Sequence, residues 1–273
     1  MSPSPLISAA ELHDLFEMGR GPVVLDVRFE LHTGSDRAGY EAGHIPNAQF
    51  VDLDTELAGV PGSDGRHPLP DTETFVAAMR GAGVSDDSSV VVYDAGPATA
   101  AARAWWLLRY NGHRDVRVLD GGLAQWTAAG FPIGTEPSIV AAGSFTARPP
   151  LARVLEVDDV LEFAQHNVLI DARAAERFRG EVEPVDPVAG HIPGAVNRPT
   201  TENVDSDGRF LAPEVLDGAF GGLVPTGKDV AVYCGSGVTA AHQILALELL
   251  GIDAALYPGS WSGWITDPTR PRA

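Results

Sequence analysis

Short runs of consecutive apolar, largely β-branched residues punctuate the chain, and two of them are followed by longer segments with helical periodicity. Val90-Val91-Val92-Tyr93 precedes Ala98 to Arg109, and Val230-Ala231-Val232-Tyr233 precedes Thr239 to Leu250. Four residues without polar alternation predict a strand buried on both faces, and the helix that follows supplies cover for one of them. The expected class is α/β, with mostly parallel sheets and helices on both faces.

The pattern occurs twice. Val23-Val24-Leu25-Asp26-Val27-Arg28 answers Val168-Leu169-Ile170-Asp171-Ala172-Arg173, and Gly43-His44-Ile45-Pro46 answers Gly190-His191-Ile192-Pro193. Next, Val90 to Asp94 answers Val230 to Cys234, and Asp120-Gly121-Gly122 with Trp126 answers Tyr257-Pro258-Gly259 with Trp264. Matches in one order over so long an offset indicate a duplicated domain rather than a solenoid. Phe131 to Pro150 carries four prolines and no periodicity, which reads as a connection. The expected organisation is a domain over 1–135, a linker over 136–150 and a second domain over 151–273.

A chain of 273 residues with 44% hydrophobic residues can bury two cores. Its 37 acidic against 19 basic residues give a formal charge of −18, which repels phosphate backbones and anionic membrane surfaces. Nucleic acid and membrane are therefore not expected partners. With no long apolar run and no leader-like start, the expected compartment is the cytoplasm. Cys234 is the one cysteine, so no intrachain disulfide, zinc knuckle or Cys-x-x-Cys pair can form. No metal and no cofactor are expected.

Cys234 ends the Val230 to Tyr233 run and opens Cys234-Gly235-Ser236-Gly237-Val238-Thr239-Ala240, which leads into a helix. Ligands of open parallel sheets gather at this end of the strands, where amides at a helix start face an anion. Two glycines let successive N–H groups curl around the sulfur and hold a thiolate or persulfide. The corresponding residue in the first half is Asp94, which cannot be a sulfur nucleophile. One half is thus expected to be catalytic. His44 and His191 share one turn setting with and without the nucleophile, so both read as structural, and the paired tryptophans read as packing.

These residues resemble the rhodanese superfamily over nearly the whole chain: Asp171-Ala172-Arg173, Arg177-Phe178-Arg179-Gly180, the Gly190 to Ala195 turn and the Cys234 loop carry the likeness. It implies two tandem rhodanese-like domains and sulfur transfer from a small anionic donor through a Cys234 persulfide to an acceptor. That acceptor would be a thiol, cyanide or a thioredoxin-like protein. The Cys-Gly-Ser-Gly-Val-Thr loop looks like that of 3-mercaptopyruvate sulfurtransferases; thiosulfate:cyanide sulfurtransferases typically place basic residues there. The resemblance further implies that Arg177, Gly235, Gly237, Val238 and Thr239 surround the donor. It also implies a proton relay of Ser236, His67 and Asp54, with the first half contributing to the second half's site.

One departure is clear: the second arginine usual before the Gly-His-Ile-Pro turn is absent from Glu183 to Val188. A Cys-x5-Arg phosphatase loop is excluded because the sixth position after Cys234 is Ala240. The other alternative is a non-enzymatic sulfur-carrier or partner-binding module.

Overall fold

The computed structural model describes residues 4–136 and 138–273; the first three residues, and Pro137 of the connecting stretch, lie outside them. Each half builds a five-stranded, all-parallel sheet. In the first, Val90–Tyr93 lies between Val116–Leu119 and Val23–Asp26, with Leu6–Ile7 and Gln49–Phe50 at the edges. In the second, Val230–Tyr233 lies between Ala254–Leu256 and Val168–Asp171, with Arg153–Val154 and Val196–Asn197 at the edges. Taken in chain order, the strands of both sheets stand first, fifth, fourth, second, third. The repeated sequence blocks are therefore a repeated topology.

Both central strands are buried along their whole length, as their uninterrupted apolar runs require. The helices that follow them span Thr99–Tyr110 and Thr239–Glu248. The repeated Asp-x-Arg has a physical purpose. Arg173 grips the Asp171 carboxylate with Nε and Nη2, and Nη2 also donates to the Gly190 carbonyl at 2.7 Å, tying the strand end to the Gly-His-Ile-Pro turn. Arg28, Asp26 and Gly43 repeat this in the first half. The turn histidines bond backbone: Nδ1 of His44 meets the Tyr40 carbonyl and Nδ1 of His191 the Phe178 carbonyl.

The chain divides into two compact units, residues 1–59, 70–151 and 206–210 in one, and 60–69, 152–205 and 211–273 in the other. The division thus departs from a simple cut into 1–135 and 151–273. Segment 60–69, from the first half of the sequence, groups with the second unit, and 206–210 groups with the first.

The stretch 138–150 is also more than a tether. Phe145 is 1% exposed and meets Phe75 edge-on, the Gly143 and Phe145 N–H groups donate to the Arg80 and Val84 carbonyls, and Arg148 pairs with Asp86. One buried ring anchors it to the first unit without leaving any periodicity in the sequence.

Candidate active site

Cys234 follows the central strand of the second unit and is 1% exposed. Its N–H donates to Ser260 Oγ at 3.1 Å, and that hydroxyl donates onward to the Tyr257 carbonyl. Ser260 adopts φ +53°, a left-handed conformation rare for a side-chain-bearing residue. The hydroxyl that receives the Cys234 N–H thus stands on a strained backbone position. Sγ accepts from the Gly237 N–H at 3.1 Å, the first amide of the expected nest. Gly237 itself sits at φ +81°, which its missing Cβ permits. Val238 caps the helix and Thr239 begins it.

The first unit shows what such a loop holds. The Asp94 carboxylate accepts from four backbone N–H groups: Gly96 at 3.0 Å, Ala98 at 3.1 Å, Ala100 at 2.9 Å and Ala101 at 3.2 Å. Burial nevertheless pushes its carboxyl above the ordinary range. In the repeat these four positions correspond to Ser236, Val238, Ala240 and Ala241. The loop gathers backbone N–H donors, filled by its own acceptor side chain in one half and holding a smaller residue in the other.

Segment 60–69 brings two further side chains to the sulfur loop. His67 Nδ1 lies 2.8 Å from Ser236 Oγ. The Arg66 N–H donates to Ser262 Oγ at 3.1 Å, and Thr266 Oγ1 donates to the Ser63 carbonyl at 3.0 Å, pinning the segment within its unit. Gly65 makes the approach practicable: at φ +105°, a Cβ there would sit 2.8 Å from both the Gly259 carbonyl oxygen and Ser262 Oγ. Gly65→Ala is therefore expected to cost about 1–3 kcal/mol of stability and to displace Arg66 and His67. Thermal unfolding measures the first effect, and a weakened dependence of activity on His67 the second.

Arg177, on the short Ala175–Phe178 helix, is not a solvated charge. Its Nη2 donates to Glu183 Oε1 at 2.7 Å and to Asp186 Oδ2 at 3.1 Å. Burial alone would raise the Glu183 carboxyl, but the Arg177 guanidinium and the N–H groups of Asp186 and Val185 hold it below the ordinary range. Gly235 leaves room for these charges: the guanidinium nitrogens of Arg177 lie 3.6 and 3.7 Å from where its Cβ would be.

Asp54 lies in the first unit, in the Leu53–Glu56 helix, where its carboxylate accepts from the Ser35 N–H at 3.0 Å and hydroxyl at 3.2 Å. Sequence reasoning missed Ser260, Glu183, Asp186 and Arg66. Only Arg66 carried a signal, its place beside His67. Among the described residues no cluster of three or more His, Cys, Asp or Glu could hold a metal ion, and no helix is long and apolar enough to cross a membrane.

Comparison with known proteins gives one consistent likeness. A family model described as "Rhodanese-like domain" matches residues 8–129 and again 156–267. A Pseudomonas aeruginosa protein provisionally named 3-mercaptopyruvate sulfurtransferase is 49% identical over 261 residues, 92% of each chain. A Mycobacterium tuberculosis protein, SseB, provisionally named a thiosulfate sulfurtransferase, is 43% identical over 97% of this chain and 95% of its own. The crystal structure of SseA from Escherichia coli, described with the rhodanese fold and mechanism of 3-mercaptopyruvate sulfotransferases, superposes with a TM-score of 0.83. It is 37% identical, over 95% of this chain and 100% of that one.

Proposed function

The chain belongs to the rhodanese-like family in both of its halves, and from that premise we propose that it is a sulfurtransferase with 3-mercaptopyruvate as favoured donor and Cys234 as sulfur carrier. The observation that carries the reading is the cradle: Cys234 Sγ stands at the loop whose counterpart wraps four N–H groups around the Asp94 carboxylate. An anionic thiolate, and then an anionic persulfide, suits the same amides.

In the proposed reaction, Cys234 Sγ attacks the sulfur of mercaptopyruvate. A sulfur–sulfur bond forms, the carbon–sulfur bond breaks, and its electron pair passes to the carbon that becomes the enolate of pyruvate. That carbon needs a proton. The Ser236 hydroxyl, 2.8 Å from His67 Nδ1, can give one and recover it from the imidazole. Asp54 enters this relay by resemblance alone, as the carboxylate that would orient His67. An acceptor thiolate or cyanide then takes the outer sulfur from the persulfide and restores the Cys234 thiolate. The acceptor is proposed to be a small thiol, cyanide or a thioredoxin-like protein. Burial of the sulfur excludes water and preserves the persulfide between the two halves of the cycle. The cytoplasm is proposed as the protein's compartment.

Thiosulfate is the alternative donor, and it releases sulfite without needing a proton on carbon. This difference supplies the test. The wild-type kcat/KM is expected to be higher for mercaptopyruvate than for thiosulfate; the reverse order would overturn the preference. Ser236→Ala and His67→Ala are each expected to slow the mercaptopyruvate reaction by about 10²–10⁴-fold, the range of general acid–base assistance. The thiosulfate reaction should change far less. Equal losses with both donors would reduce the pair to shaping the pocket.

A further inference from the structure

The sequence lacks a second arginine between Glu183 and Val188, yet the fold sets a second guanidinium beside the sulfur loop. Arg66 Nη2 lies 2.9 Å from where a Cβ on Gly235 would be, the same point that the Arg177 nitrogens approach. Two cationic heads therefore flank the residue directly after Cys234.

Glu183 offsets the charge of Arg177, and one further carboxylate is shared between the two heads. Asp186 Oδ1 accepts from Arg66 Nη1, and its Oδ2 accepts from Arg177 Nη2. The Asp186 side chain is 2% exposed, and burial pushes its carboxyl above the ordinary range, against the pull of Arg66. On the Arg66 head, Nε is buried and has no hydrogen-bond partner among the described residues. Buried donors are normally paired, so this head has recognition capacity that its protein neighbours leave unused. Planar guanidinium forks match planar carboxylates.

We propose that Arg66 is the second donor-binding arginine, supplied in space by segment 60–69, and that Asp186 occupies the paired guanidinium site until the donor's carboxylate displaces it. The proposal rests on the sulfurtransferase reading and deepens it by naming how a 2-oxo carboxylate is recognised. The exchange conserves charge at the site: one carboxylate enters, one swings to water, and neither guanidinium is left uncompensated. It also explains how a chain of formal charge −18 admits an anion beside its nucleophile.

The test compares alkylation of Cys234 by anionic iodoacetate with that by neutral iodoacetamide, in wild type, Arg66→Gln, Arg66→Lys and Asp186→Asn. KM for mercaptopyruvate is measured on the same proteins. Arg66→Gln is expected to lower the iodoacetate-to-iodoacetamide rate ratio about tenfold or more, the scale of a lost hydrogen bond to a charged group. KM should rise by a similar factor, and Arg66→Lys should recover part of both. Asp186→Asn, which removes the competing negative charge while keeping the shape of the side chain, should raise the ratio and lower KM. An unchanged ratio in Arg66→Gln, or a lowered ratio in Asp186→Asn, overturns the proposal. Should Arg66→Gln fail to fold, Arg66→Lys and Asp186→Asn still give the opposite shifts or refute them. Absence of turnover in the wild type with both mercaptopyruvate and thiosulfate would sink the sulfurtransferase reading instead, while the alkylation ratio would still judge Arg66 and Asp186.

Discussion

Cys234→Ser is expected to abolish sulfur transfer from both mercaptopyruvate and thiosulfate, a loss of roughly 10⁴–10⁶-fold in kcat. The substitution changes one atom. The Gly237 N–H still has an oxygen to meet, and the bond from the residue 234 N–H to Ser260 Oγ does not involve the side chain. What is lost is chemistry: an alkoxide is inaccessible at neutral pH, and no persulfide can form on oxygen. Incubation of the wild type with donor alone should add the mass of one sulfur, removable by mild reduction, and the variant should gain none. Substantial turnover by the serine variant would remove Cys234 from the role assigned to it. A wild type that takes up no sulfur would favour a binding module.

Asp94→Ala carries the largest expected cost to stability, although it lies in the half without a nucleophile. It deprives four N–H groups of their acceptor at a buried site. At about 1–3 kcal/mol for each unsatisfied donor, less what entering water restores, the loss should be about 3–5 kcal/mol. This corresponds to a melting temperature lower by roughly 10 °C. Asp94→Asn keeps one oxygen and should lose less.

The two variants also differ in pH dependence. Because burial raises the Asp94 carboxyl above its ordinary value of 3.8, its contribution is fully present below that value and is lost as pH rises through the folded one. Asparagine does not titrate. The gap between wild type and Asp94→Asn should therefore be widest at acid pH and narrow as pH rises. Unfolding measured as a function of pH reads the sign directly.

The central strands were legible because nothing in Val90 to Tyr93 or Val230 to Tyr233 faces water, so no polar residue interrupts them. Helix ends were legible to within one or two residues. Ala98, read as the helix start, stands just outside it at φ +63°, a conformation its composition does not announce. Phe145 could not be seen as an anchor, since a single buried ring among prolines has no period to detect. The site was half legible for the same reason. Cys234 and Ser236 lie in one continuous loop with a recognisable pattern, whereas the approach of Arg66 to Gly235 depends on the path of a segment held by Gly65 and Ser262. Local spacing carries no record of such a path.

Segments 60–69 and 206–210 both follow the third strand of their own repeat, and each groups with the opposite unit. The repeats of the sequence are thus not interchangeable modules. Residues 152–273 expressed alone would keep Cys234, Ser260 and Arg177 but forfeit Arg66 and His67. Residues 1–135 alone would in turn lack the stretch whose Phe210 N–H meets the Asp120 carboxylate at 2.9 Å. A gene cut at its apparent seam would yield two incomplete products, which ties the inheritance of the first repeat to that of the second.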